Sequence, residues 1–534
     1  MGATLRALRA LVLLACFHLL GLALLTALGA LDWAAHRWAP AGWALKLYVV
    51  SFLLAVPVVR GMLLLRTPRD EGVAGVPVTD AEEPRLWAAV RDLAALVGTR
   101  APDEIRLTAD MNAAVTEDAR LLGLLGGTRR LYLGLPLVAG LTEARLRAVL
   151  AHELGHYGHF DTRLSGIAER CRAHVARTVD RFEEKSGHTI AKERARQEKR
   201  SAKRVARGRS AREVDTTGVG FTYRAMARVY TAYGRFSMRA TQSDARRQEL
   251  AADLAAARIA GRDATASALR ALPALDDAHA FYLSSYATLG VEFGMLPPRG
   301  EVFGGVRRLL DARAEEPAGA GAALPVEPVS PYDSHPPTAE RVAALEALPD
   351  DGRGSERPRP ALDLFDSPEA ASVRVEDATL APEALLMRRL DWPDLVHEAM
   401  TARYVQDTEP VRAALKTAPA DSGPAALLDA FLDAVDSGTA WDVVGGLPRS
   451  EEAAAATGRA AREFARSSLR RELARLVTAA LASDGRARWQ LSWSGPASLR
   501  LAVGRTGALD EALDAAISER SDTGPLRELL ATTA

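Results

Sequence analysis

From Leu150 to His159 the chain reads LAHELGHYGH, three histidines and a glutamate inside an otherwise apolar helical run. Burying that many polar groups on one helix is costly unless something binds them. His152 and His156 stand four apart, so one helical turn sets both imidazoles on one face, about 6 Å apart along the axis. That spacing suits two ligands of one tetrahedral Zn²⁺. Glu153, adjacent to the first of them, can reach a water polarised by such an ion and take its proton as the water attacks a carbonyl. Five residues thus hold both halves of a hydrolytic site. The competing reading, hydrogen-bonded or surface histidines on an amphipathic helix, stands until a further ligand is found.

Two patterns can supply that ligand. One zincin class puts a third histidine six residues after the second, where this chain has Thr162. His159 lies about 10 Å along the helix axis from His152, too far to share its ion, and reads as a cleft or surface residue. The other class takes a glutamate from a later helix, and SDARRQELAADLAAARIAG supplies Glu249 with Asp253 four residues on, facing the same way. Glu249 can complete a His₂Glu set. Asp253 can accept a hydrogen bond from a ligand imidazole's free N–H and fix its tautomer.

These side chains need elements to hold them. Thr142 followed by Glu143 marks a helix start, and that helix is expected to run through LRAVLAHELGHYG. Upstream, helical spacing over Glu82 to Val97 and short strands at Ile105–Leu107, Ala113–Thr116 and Arg130–Leu133 give an α+β lead-in. Phe221 to Met238 is aromatic-rich, but Arg224, Arg228 and Arg235 argue for an amphipathic helix packed on the domain rather than a membrane span. Between Lys192 and Arg212 a strongly basic run reads as a solvated helix or loop, with attraction to an anionic lipid surface as its sharper meaning.

At the N-terminus, Leu11 to Leu31 holds no charge but Leu and Ala in plenty, and is long enough to cross a bilayer. A second apolar run, Leu47 to Leu65, is interrupted by Pro57 and Arg60, and Trp33, Trp38 and Trp43 lie in the connection. A cleaved signal peptide would have a shorter apolar core and no second span at once behind it, so a retained hairpin is expected. Arg6 and Arg9 before the first span, and Arg60, Arg66 and Arg69 closing the second, put both ends and all that follows in the cytoplasm. A Gly/Pro/charge cluster from Asp350 to Ser367 marks a boundary, beyond which the chain is Ala/Leu/Arg/Glu-rich, helical, with a strand pair near Arg488–Leu501 and no legible ligand cluster.

With 68 basic and 68 acidic side chains among 534 residues, nothing in the overall charge favours nucleic acid as a partner. Two cysteines, Cys16 and Cys171, make no disulfide framework.

HELGH, then the Glu and Asp of QELAAD, then SHPPTAER, all behind an N-terminal hairpin, resemble the HtpX-like and CAAX-prenyl-protease family of membrane-bound zinc metallopeptidases. The resemblance covers roughly residues 1 to 350. It implies that His152, His156 and Glu249 are zinc ligands, one ion per chain, that Glu153 is the general base, and that Asp253 orients a ligand. It further implies that His335 and Arg341 donate to the tetrahedral oxyanion or anchor the catalytic helices. Asn112 and Ala113 match a pair that opens an edge strand, along which a substrate would add as a further strand.

The expected architecture is α+β and mostly α-helical: a transmembrane hairpin over 1–66, a zincin-like catalytic domain over 67–350 and a helix-rich domain of unknown role over 351–534. The expected function is a zinc endopeptidase of the cell membrane, facing the cytoplasm and cutting membrane or misfolded proteins. A catalytically silent membrane scaffold and a zinc hydrolase of non-peptide amides are the alternatives.

Overall fold

The computed structural model describes residues 3–63, 75–117, 127–157, 184, 187–201, 221–314, 336–352, 358–415, 423–447, 452, 455–501, 506–518 and 520–532. The architecture is α+β and mostly helical. By packing, the chain forms two units: Met1–Ala274 with Ala322–Ser367, and Leu275–Gly321 with Pro368–Ala534.

The first unit opens with two helices packed together, α1 (Ala3–Trp38) and α2 (Ala41–Leu63). Within α1, Leu11–Trp38 is long and apolar enough to cross a membrane, with mean hydropathy 2.5, whereas the apolar part of α2, Ala41–Val56, is shorter. A mixed four-stranded sheet follows, built from β1 (Val76–Val78), β2 (Glu104–Thr108), β3 (Ala113–Glu117) and β4 (Arg129–Gly134) in the order β1-β2-β4-β3. Only β2 and β4 run parallel. The three strands read from the sequence are those of this sheet, each extended by a residue or two. Ile105, Leu107, Leu131 and Leu133 are shut from solvent.

Against the sheet lie α3 (Pro84–Val97), α4 (Leu135–Gly140) and α5 (Glu143–Gly155). In α3 the buried residues Leu86, Val90, Leu93 and Val97 recur at three and four, and in α5 Leu146, Leu150 and Leu154 recur at four, the stripe an amphipathic helix turns to its core. Each such leucine contributes about 1.5–3 kcal/mol when removed from water. The stretch Arg359–Asp366 straps these helices: Ala361 N–H donates to Leu141 C=O at 3.0 Å, Glu143 N–H to Arg359 C=O at 2.8 Å, and Arg85 reaches Asp366 at 2.6 Å.

Phe221–Met238 is not a separate helix lying on the sheet and the histidine helix. It is the first half of a 40-residue helix, α6 (Phe221–Ala260), and it packs on the α1–α2 pair. Ala227 and Tyr230 cluster with Phe17 and Val58, and the Tyr233 hydroxyl donates to the Leu13 carbonyl. Ala227, Tyr230, Gly234, Ser237 and Thr241 are buried at helical spacing while Arg224, Arg228, Arg235 and Arg239 are exposed. The arginines exclude one face from the core, and the face they leave finds an apolar partner in the hairpin. The second half of α6 packs along α5. A following helix, α7 (Arg262–Tyr282), brings Ala266 and Leu269 against Ala257, Val342 and Leu345, which seats the helix Thr338–Glu346.

The second unit is built on the helices Trp392–Asp407, Pro424–Asp436 and Gly458–Ser483 and the antiparallel pair Ala487–Gln490 with Ser498–Leu501. Phe431, Leu473, Leu476 and Val477 are fully buried in its core. Residues before Gly321 join it through the short parallel pair Met295–Leu296 with Arg388–Arg389 and through buried Glu376, which accepts from Val302 N–H at 3.0 Å and pairs with Arg389 at 2.6 Å.

Candidate metal centre

Helix α5 begins at the Thr142 cap, whose hydroxyl accepts from Arg145 N–H at 3.4 Å, and ends at Gly155, with His156 as its C-cap. It stops a turn earlier than the sequence pattern implies, and His156 still keeps the right-handed backbone that holds it over His152. The two imidazole rings lie 4.9 Å apart, edge to face. Their neighbours Ala151 and Leu154 are buried, so the helix cannot roll the histidines away without exposing its apolar stripe.

The packing of α5 on α6 delivers Glu249 and Asp253, both buried. His152 Nδ1 lies 2.9 Å from an Asp253 oxygen, which leaves Nε2 directed at Glu249, 3.5 Å away. His156 Nε2 is 3.8 Å from the other Glu249 oxygen. The ligand atoms of His152, His156 and Glu249 all fall within 4.8 Å of one another. Two imidazole nitrogens and one carboxylate oxygen converging from two packed helices are the donor set of a four-coordinate Zn²⁺ with one position left for water or substrate, so the residues fit the ion.

Arg341 is drawn into the same cluster. From the helix Thr338–Glu346 it grips Asp253 with two hydrogen bonds, 2.8 Å from Nε and 2.6 Å from Nη2, and its Nη2 is 3.9 Å from Glu249. Desolvation would raise the Asp253 carboxyl, but the Arg341 fork and His152 outweigh it and hold the group below the usual carboxylate range. Burial likewise opposes a charged His152, yet its bonds to Asp253 and Glu249 and the nearby Glu153 charge hold the imidazole up at about 9. Glu153 is half-buried beside it, and its charge acts on both His152 and Arg341.

His335 and His159 lie outside the described residues. Asn112 and Ala113 open β3, which forms one edge of the sheet. Asn112 C=O accepts from Gly134 N–H at 2.8 Å, so Asn112, Ala114 and Thr116 face β4 and the backbone groups of Ala113 and Val115 point away from it. Gly134 must be glycine here: a Cβ would come 1.8 Å from Asp110 O.

One residue beside the motif goes unread in the sequence. Tyr157 directs its hydroxyl to Val115 O at 2.8 Å, beneath the Arg129 guanidinium 4.8 Å from its ring. It ties the end of the histidine helix to the edge strand. Its position directly after HELGH is the one signal that could have raised it.

A family model described as Peptidase family M48 matches residues 80–348. No curated protein and no solved structure matches the chain.

Proposed function

The chain belongs to peptidase family M48, and from that premise we propose a membrane-anchored zinc endopeptidase whose ligands are His152, His156 and Glu249 and whose general base is Glu153. The observation that carries the proposal is the convergence of those three side chains from α5 and α6, with ligand atoms within 4.8 Å. When bound, the ion supplies a Lewis acid that polarises the scissile carbonyl and acidifies a water. Glu153 takes the proton of the attacking water and hands it to the amine that leaves as the C–N bond breaks. Asp253 holds the His152 tautomer, and Arg341 keeps Asp253 charged and in place.

The outer edge of β3 suits a substrate added as an extended strand, with the Ala113 N–H and C=O and the Val115 N–H offering backbone hydrogen bonds and little side-chain selectivity, while the Val115 C=O already accepts from Tyr157. Unfolded or misfolded protein segments are therefore the proposed substrates. Membrane attachment is supported by the length and apolarity of Leu11–Trp38 and by the seating of α6 on α1 and α2. The arginines at the hairpin ends favour a cytoplasmic catalytic unit.

Purified wild type is expected to hold one zinc per chain and to cleave casein. Glu153→Gln should keep the zinc and lose at least about a hundredfold in turnover, whereas Glu249→Ala should lose the zinc itself. Zinc-loaded wild type without cleavage, or full zinc in Glu249→Ala, would sink this assignment.

A further inference from the structure

We propose that the second unit carries a binding pocket for the free C-terminal end of a polypeptide whose last side chain is apolar. A cavity of about 670 Å³ opens between the 281–313 segment, the helix Trp392–Asp407 and the loop after strand Ala487–Gln490, all within that unit. Its size falls in the range of small-ligand sites and takes one or two residues of a peptide.

The walls are aromatic. Tyr286 stacks on Trp493 at 4.8 Å, Trp493 meets Trp392 edge-on at 5.0 Å, and Tyr404 lies 4.9 Å from Trp489. The Tyr286 hydroxyl donates to Ser492 O at 2.8 Å and fixes the loop that carries Trp493. Such ring faces recognise a flat or branched apolar group. A further feature calls for an anion. Arg313 and Arg403 line the pocket with exposed guanidiniums, and neither has a carboxylate partner among the described residues. Arg313 lies 4.8 Å over the Phe281 ring, so its charge sits on the aromatic wall itself.

Cation and aromatic wall are so close that the anion must belong to the residue that fills the pocket. In an extended peptide a neighbouring acidic side chain points to the opposite face. A terminal residue carries its carboxylate on the same Cα as its apolar side chain, and that geometry favours a chain end over an internal acidic segment. In a peptidase such a pocket would tether substrates by their ends. That use rests on the reading above, while the binding itself does not.

The test uses full-length Glu153→Gln protein in detergent, so that the probe is not consumed, and follows the anisotropy of a fluorescein-labelled Gly/Ser octapeptide ending in Phe. Saturable binding of the free acid is expected, with the C-terminal amide and a Ser-ending peptide each weaker by about tenfold or more, the scale of one lost charge-assisted contact. Arg313→Ala and Arg403→Ala, both at exposed positions, should each weaken the free acid by about fivefold or more without changing the melting temperature. Equal affinity for acid and amide, or unaltered affinity in both arginine variants, overturns the proposal, as does equal binding of an amidated peptide with an internal Asp. Should wild type hold no zinc and cleave nothing, the catalytic reading falls, and saturable, carboxylate-dependent peptide binding would still uphold this one.

Discussion

Arg341, Asp253, His152 and Glu249 form a single chain of contacts, in which each buried charge is answered by the next. Removing one partner leaves its neighbour charged and buried. Arg341→Ala should therefore destabilise the first unit by about 3–5 kcal/mol, and Arg341→Lys should restore only part of that because an ammonium cannot reproduce the two-pronged contact. Melting curves of the two variants against wild type decide it, and equal melting temperatures would remove Arg341 from the scaffold. A pH dependence follows from His152, held up at about 9. A ligand imidazole must be neutral, so the proton is released on metal uptake at any pH below that value, and zinc affinity should climb with pH toward 9 and then level. Each unit of pH lost below it costs up to tenfold, about 1.4 kcal/mol. Calorimetric zinc titrations at pH 7 in buffers of different ionisation enthalpy should show about one proton released per ion; none released would contradict the contacts drawn here.

At the scale of elements, three pieces meet: α5 brings the histidines, α6 the carboxylates, and β3 the outer strand of the sheet. The edge is set by Gly134, where β4 passes close enough to Asp110 and Asn112 that no side chain fits. Gly134→Ala should push β3 outward, costing about 1–3 kcal/mol by overpacking and lowering the cleavage of unfolded substrates more than the zinc content. Loss of zinc and activity in proportion would mean that β3 supports the metal site and not the substrate. Helix and strand positions here were legible locally, since Leu146, Leu150 and Leu154, or Ile105 and Leu107, repeat with the period of their own element. The partner of a face was not. Phe221–Met238 shows its arginine-lined side in the sequence, but nothing in it says that the other side rests on Phe17 and Val58 rather than on the sheet and its helices.

Across the whole molecule, two cores lie in one chain. Composition places a boundary near 350, while packing draws one after Ser367 and another within α7, so that Leu275–Gly321 shares its core with the C-terminal half. Scanning calorimetry should show two transitions, of which chelation lowers only the one belonging to the unit with Glu249, because a ligand stabilises what it binds. A single transition shifting as a whole would argue against separate cores. The sequence alone determined the imidazole pair, the helical turn between His152 and His156, the glutamate beside them, and the apolarity of the first helix, because each depends on residues a few positions apart. Only the tertiary structure decided that Glu249 and Asp253 face those histidines, that Arg341 grips Asp253, and that aromatic residues from 281 to 493 enclose one cavity. Contacts between distant segments are fixed by which apolar faces bury each other, and that choice leaves no local periodic trace in the chain.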